Sequence, residues 1–532
     1  NLTIKQGTLN FNMTGTPGHS IKGNINVYSG ATLNFNPGSA GTVSLNGASL
    51  QIISGEGTIS ANNNSTIQVN NTNGVQLNKT ASLYNMTVSS NAIFKLSPTA
   101  ALTLGGDLTN NGTFSVQSDA TGTGSFILNG NYSGSGTFEI KRYMTGGWIS
   151  WDAGWHFLSS PVQNQAISNF TTTGTGNDYD FYGWSESDGM WINYKGEDFL
   201  TWNGDTNFVV GRGYMVSYQQ TQSNKKFIGA PNNSNVPINN MSYTATSPNK
   251  GWNLLGNPFP SALKWDDGNW SLNNVAGTAK IWNSDNKSYS DISTNGIIPI
   301  AQGFMVQVNN STNSLTIPKA SRTHNNTAWY KSGGNDRILL IARPTDKSSA
   351  QESIIRLEEG ATEGFDFYHD SRFLSGGAPQ FYCIIDDELL STQALPSINN
   401  GMEFLYGFAK NDQEEFEIVL AENPFPVKIY LEDLKTGITQ NLSDNPAYIF
   451  TSTEGDSPIR FKLSFGSVGI DETTANDVRL YYSNNVLYML QMDGYKQIEV
   501  LNLNGQLMRK MNTDENYVNL PLARGIYLVR IT

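Results

Sequence analysis

Across residues 1–145 apolar and polar side chains alternate in short runs, each introduced by a small residue. The phrase reads Gly7-Thr8-Leu9-Asn10-Phe11, Ala31-Thr32-Leu33-Asn34-Phe35, Gly41-Thr42-Val43-Ser44-Leu45, Ser65-Thr66-Ile67-Gln68-Val69, Gly112-Thr113-Phe114-Ser115-Val116 and Gly136-Thr137-Phe138-Glu139-Ile140. Successive side chains of an extended chain point to opposite sides, so each run predicts one short strand with an apolar and a polar face. Towards the end of the segment Leu102, Phe114, Phe126 and Phe138 fall twelve residues apart, with Gly and Asn in the intervals. Repetition on that scale predicts a parallel β-solenoid, in which each coil buries its inward row on the coil below. An antiparallel sandwich with regular hairpins has the same period and stays open as the alternative.

A second pattern begins near Tyr143. All 11 tryptophans lie between Trp148 and Trp329, and the chain from 146 to 328 repeats itself. Gly154-Trp155-His156-Phe157-Leu158-Ser159-Ser160-Pro161 returns 97 residues later as Gly251-Trp252-Asn253-Leu254-Leu255-Gly256-Asn257-Pro258. Gly211-Arg212-Gly213-Tyr214-Met215-Val216 returns 90 residues later within Ile300-Ala301-Gln302-Gly303-Phe304-Met305-Val306, and the stretch from Phe181 to Tyr194 resembles that from Lys280 to Tyr289. Each half reads as a strand running into Pro, a hairpin and a Gly-aromatic-Met-Val strand, which predicts two matched antiparallel sheets.

The ring clusters Trp184, Trp191, Tyr194 and Trp202 in the first half and Trp265, Trp270 and Trp282 in the second are candidate glycan-binding platforms. Packing inside a sandwich core is the alternative use of such large rings, and the expected one. Asp178, Asp180, Glu186, Asp188, Asp266 and Asp267 carry the oxygens that calcium collects six to eight at a time, yet Asp188-Gly189 and Asp267-Gly268 read as tight turns. No cofactor is expected, and calcium is the one ion these side chains suit.

From 329 to 466 the charge density rises and period-two runs recur, as in Arg337-Ile338-Leu339-Leu340-Ile341-Ala342, Phe416-Glu417-Ile418-Val419-Leu420 and Val427-Lys428-Ile429-Tyr430-Leu431. They predict a sandwich or jelly roll. Cys383 sits inside the strand-like run Phe381-Tyr382-Cys383-Ile384-Ile385, where burial as a small hydrophobe is expected rather than use as a nucleophile. His369 has no Gly-x-Ser-x-Gly context near it. In the first segment the acids are only Glu56, Asp107, Asp119 and Glu139, too few for the carboxylate clusters of a solenoid lyase or hydrolase. No catalytic and no metal-binding residue is assigned, and the chain is expected not to be an enzyme.

Composition narrows the partners. Only 15% of the 532 residues are charged, Gly numbers 52, and the net charge is −12, the wrong sign for a protein that neutralises phosphates. Nucleic acid is excluded as a partner. One cysteine and four histidines exclude an internal disulfide and a structural zinc site. No run approaches the ~20 apolar residues of a membrane-spanning helix. Residues 1–10 lack the pattern of a signal peptide and open directly on a strand, so further sequence is expected upstream.

After a polar linker, 467–476, a last module at 477–532 predicts six short strands, with Asn504-Gly505 as a type I′ hairpin signal. Ile498-Glu499-Val500-Leu501-Asn502-Leu503-Asn504-Gly505-Gln506-Leu507 and Leu520-Pro521-Leu522-Ala523-Arg524-Gly525-Ile526-Tyr527-Leu528-Val529-Arg530-Ile531 resemble the type A C-terminal sorting domain of type IX secretion substrates. The carrying positions are Leu501, Leu503, Asn504, Gly505, Leu520, Pro521, Gly525, Ile526, Tyr527 and Val529. Upstream, the run from Ile429 to Gly437 with Asn441-Leu442 and Tyr448-Ile449-Phe450 resembles the sandwich that precedes this module in Bacteroidetes surface proteins. The resemblance implies a small Ig-like sandwich read by the type IX translocon and its outer-membrane shuttle barrel, and a secreted, outer-membrane-associated product. Family members usually continue past the Gly-Ile-Tyr strand with a short basic strand, whereas this sequence stops at Thr532. The expectation is an all-β adhesin or surface-display protein, with glycan binding to a surface polysaccharide, or service to an upstream enzyme, as alternatives.

Overall fold

Alternating runs with few helix formers become strands almost everywhere. Half of the chain is strand and 3% is helix. The computed structural model describes the chain except for residues 13–17, 151, 172–176, 248, 326–336, 468–478, 484, 491–493, 495, 503–504, 523–526 and 532.

Through residues 1–141 the strands stack in parallel, as the solenoid reading requires and the sandwich reading does not. One ladder runs from Leu2–Ile4 through Ile25–Val27, Gln51–Ser54, Val75–Leu77, Ile93–Leu96 and Thr113–Val116 to Thr137–Lys141. A second runs from His19–Ile21 to Tyr132–Ser133, and a third side is built from Thr8–Phe11, Thr32–Phe35 and Thr58–Ala61, then Ala81–Leu83, Ala101–Leu104 and Ser125–Leu128. The twelve-residue spacing proves to be half a coil. Leu102 pairs with Phe126 and Phe114 with Phe138, 24 residues apart, while strands twelve apart belong to different sides.

The inward rows are dry. Leu33, Val43, Val69, Val88, Leu96, Leu104 and Val116 are fully buried, and Phe114 packs on Phe94, Phe126 and Phe138 with ring centroids 4.9, 4.7 and 5.2 Å away. Each such ring contributes roughly 1.5–3 kcal/mol by leaving water. Polar side chains pair along the outer faces, as Asn34 donates to Asn10 and Ser44 to Gln68. Lys226–Ile228 adds an antiparallel strand to the last coil, so the solenoid passes into the next region without a break in hydrogen bonding.

The duplication is real in three dimensions. Trp155–Leu158, Tyr214–Tyr218, Tyr179–Ser185 and Met190–Asn193 form a four-stranded sheet in that spatial order. Trp252–Gly256, Gly303–Gln307, Ala279–Asn283 and Ser288–Ile292 form a second sheet with the same connectivity. Two reciprocal bridges relate the halves, Leu158 with Gln302 and Arg212 with Leu255, which are matched positions in the repeated phrases. A pseudo-twofold relation explains both.

Residues 337–467 form one eleven-stranded sheet that includes a parallel pair, Gln351–Leu357 with Glu388–Leu395. The expected two layers are therefore a continuous sheet curled round one core, with Phe381, Tyr406, Phe416, Phe450 and Phe461 inside. Tyr448 donates to Asp433 at 3.0 Å, joining strands from opposite ends of the sheet order. Contacts divide the chain into residues 1–466 and 467–532.

Within the second unit two three-stranded sheets enclose Leu487, Met489, Ile498, Val500 and Leu520. One holds Arg479–Ser483, Val486–Leu490 and Tyr517–Asn519, the other Leu507–Thr513, Lys496–Leu501 and Leu528–Ile531.

Candidate functional site

The two duplicated sheets pack face to face, and their facing side chains are mostly rings. Strand alternation puts Trp155, Phe157, Tyr182, Trp184, Trp191 and Met215 on the facing side of the first sheet. Trp252, Leu254, Trp282, Tyr289 and Met305 answer from the second. Trp184 lies 5.0 Å from Trp191 across its hairpin, and Trp282 lies 5.2 Å from Tyr289 across the matching hairpin. Phe157 sits between them, with centroids 5.8 Å from Trp191, 6.3 Å from Trp282 and 5.9 Å from Tyr289.

The layer is open along one side. There a cleft of about 390 Å³ is lined by Trp155, Tyr182, Trp191, Met215, Trp282 and Tyr289, with Asp152 and residues 375–377 at the rim. That volume falls in the range of small-ligand sites, which are mainly apolar with a few fixed polar groups. Asp152 is held by Lys287 at 3.0 Å and by the Ser150 hydroxyl. Burial alone would raise its carboxyl, but Ser150 and Lys287 outweigh that and keep it below the usual carboxylate range. The cleft thus offers several aromatic faces beside one fixed ion pair.

Of the second-half cluster, Trp265 and Trp270 are buried in the core and Trp282 lines the cleft. The four rings of the first-half cluster do not share a platform. Trp184 and Trp191 face the second sheet, whereas Tyr194 and Trp202 pack on the opposite side with Phe181 and Phe199. A Cβ added to Gly183 would come within 2.0 Å of the Trp202 ring, so that glycine is what lets the indole lie flat on the strand. All four are partly buried, and only Trp191 lines the cleft. Trp155, Tyr182 and Tyr289 also line the cleft and were missed by the sequence reading. The available signal was the repeat itself, which places Trp282 where Trp184 stands and Tyr289 where Trp191 stands.

The acids considered for calcium are scattered among other duties. Asp180 pairs with Lys195 at 3.3 Å, and Asp188 accepts from Ser185. Glu186 accepts from Ser242, Thr244 and Gly251. Asp267 accepts from Asn269 and Ser321, and Asp266 occupies a turn with φ of 44°. Among the described residues no group of three or more His, Cys, Asp or Glu is placed to hold a metal. Cys383 is buried, and burial pushes its thiol far up. His369 meets Glu358 at 3.2 Å in an ion cluster with Arg356.

In the last unit Leu520 is fully buried, Tyr527 and Val529 pack on the same core, and Leu501 ends its strand half-buried. Pro521 is exposed, and Gly505 turns the hairpin with φ of 77°. Leu503, Asn504, Gly525 and Ile526 lie outside the described residues.

The chain belongs to a family defined by a domain of unknown function, DUF8693, whose model matches residues 55–294 and 269–465. Both matches fall within the unit that holds the solenoid, the duplicated sheets and the curled sheet. Among characterised proteins the chain is similar to the minor fimbrium subunit Mfa5 of Porphyromonas gingivalis, with 24% identity over 253 residues. The match takes in 44% of this chain and 20% of that protein, so the chain spans about a fifth of its relative's length. No solved structure matches the chain. No helix among the described residues is long and apolar enough to cross a membrane.

Proposed function

We propose that this chain is a surface-displayed, non-enzymatic protein of the adhesin type, in which the solenoid is a stiff spacer and the duplicated sheets present the contact site. The observation that carries the reading is the aromatic cleft of about 390 Å³ between the two halves, in a chain similar to a fimbrial subunit. Residues 477–532 serve in this reading as the export signal, read by the type IX translocon and its outer-membrane shuttle barrel. The product is then secreted and held at the outer membrane. The test is a reporter carrying 467–532 at its C-terminus, expressed in a type IX-competent bacterium and in a translocon-deficient strain. Export in the first and retention in the second support the reading, and equal retention in both defeats it.

The cleft also favours a glycan as the contact partner, because sugar rings present apolar C–H faces to aromatic planes and hydroxyls to a neighbouring acid. Affinity electrophoresis of residues 1–466 through gels containing surface polysaccharide checks this. Retardation that is lost in Trp191→Ala and Trp282→Ala, with unfolding unchanged in a parallel melt, is the expected result.

A further inference from the structure

The Lys280 side chain is 0% exposed, and its ammonium nitrogen touches Asp291, 5% exposed and directly opposite on the neighbouring strand. Its surroundings are apolar, with the Trp252 ring 5.5 Å from Nζ and Met305 as its partner on the other side. Two hydroxyls from the curled sheet complete the site. Lys280 Nζ donates to Ser391 Oγ at 2.6 Å, and Ser391 Oγ donates to Asp291 Oδ2 at 2.7 Å. Thr392 Oγ1 donates to the same carboxyl oxygen at 2.6 Å. One hydroxyl therefore bridges the amine and the acid.

We propose that Lys280 and Asp291 condense into an intramolecular amide, a covalent link between the Ala279–Asn283 and Ser288–Ile292 strands. The Nζ lone pair of the neutral amine attacks Asp291 Cγ. One amine proton passes to Ser391 Oγ as the Ser391 hydroxyl proton passes to Oδ2, and Oδ2 departs as water while Thr392 donates to it. Amine plus carboxylic acid give amide plus one water, with nothing oxidised or reduced.

Three features favour the reaction. Burial lowers the Lys280 pKa against the pull of Asp291, which raises the share of neutral, nucleophilic amine. Holding the two groups in contact replaces a bimolecular encounter with an effective molarity that reaches about 10⁵–10⁸ M in well-oriented systems. Condensation also removes two charges whose burial is costly, and expels the one molecule that could reverse it.

The intact mass of the folded full chain, measured after denaturation, tests this directly and needs no variant. A deficit of one water, about 18 Da, with a branched peptide joining Lys280 to Asp291 after proteolysis, is the expected result. A full-mass chain with separate Lys280 and Asp291 peptides overturns the proposal, as does a deficit that maps to other residues. Lys280→Arg keeps the charge but should show the full mass. Ser391→Ala should slow the mass loss at least tenfold during refolding from denaturant, and an unchanged rate overturns the relay assigned to that hydroxyl.

Discussion

Trp184 of the first duplicated sheet donates its indole N–H to the backbone carbonyl of Trp252 in the second, at 2.7 Å. The bond spans the aromatic layer and joins the halves through the first residue of the second half's opening strand. At the matching position of the other half the Trp155 carbonyl accepts from Ser284. The pseudo-twofold relation is thus complete in its strands and broken in this bond. Trp184→Phe keeps a ring in the layer but strands a buried carbonyl, which costs roughly 1–3 kcal/mol. Urea unfolding of residues 1–466, with the midpoint compared at constant slope, measures it.

A buried histidine, His156, and a partly buried one, His324, make stability depend on mild acid. His156 is fully buried with Nε2–H donating to the Thr145 carbonyl at 2.7 Å, and His324 lies between Thr103 and Ser125 hydroxyls at 2.7 and 2.8 Å. Burial first, then Arg142 and Arg322 respectively, lowers both from 6.5 to about 4. The unfolded chain takes up these protons below 6.5 and the folded chain only near 4, so their contribution is complete above pH 6.5 and is lost as pH falls towards 4. Urea midpoints between pH 5 and 7, above most carboxylate titrations, should fall with acid. A His156→Gln, His324→Gln double variant should flatten that slope.

In the curled sheet Asp433 is fully buried and accepts from Arg460, Tyr448 and the Lys435 amide, each near 3.0 Å. Burial pushes its carboxyl up, but the Arg460 bond, the amide and the Arg460 charge together hold it below the ordinary value. Its stabilisation is therefore present above about pH 3.9, the value of an unfolded Asp, and is lost as pH falls through the lower folded value. Asp433→Ala leaves Arg460 buried with Asp456 at 3.3 Å as its remaining carboxylate and the Phe450 and Phe461 rings beside it, and breaking such a pair costs about 3–5 kcal/mol. Loss of the cooperative transition of this sheet at a lower denaturant concentration is the readout.

Cys383 is 1% exposed and its thiol is driven up by burial, with the Asp370 charge adding to it. Thiolate is the reactive form. The native chain should therefore resist iodoacetamide over hours at pH 8, and add one alkyl group within minutes in denaturant. Peptide mass spectrometry reports both.

The solenoid was legible because its inward positions recur along the chain in the order in which they stack. Leu102, Phe114, Phe126 and Phe138 were visible as one series, yet they are two interleaved series, Leu102 with Phe126 and Phe114 with Phe138. Spacing along a chain does not say on which side of the coil a strand falls. The ring platform failed for a related reason. Trp184 and Trp202 are both aromatic and close in sequence, but one faces the second sheet and the other folds back over Gly183.

By itself the sequence determined the all-β character and the doubling of the middle region, and left a solenoid and a sandwich open for the first, because strand alternation and repeated phrases are local properties that survive any arrangement of the sheets. Only the tertiary structure decided which rings meet in the cleft and that Lys280 faces Asp291 with Ser391 between them. Those contacts join residues as distant in sequence as Phe157 and Tyr289 or Lys280 and Ser391. They depend on register and on which face each sheet turns to its neighbour, which are settled by packing rather than by the side chains in their own strand.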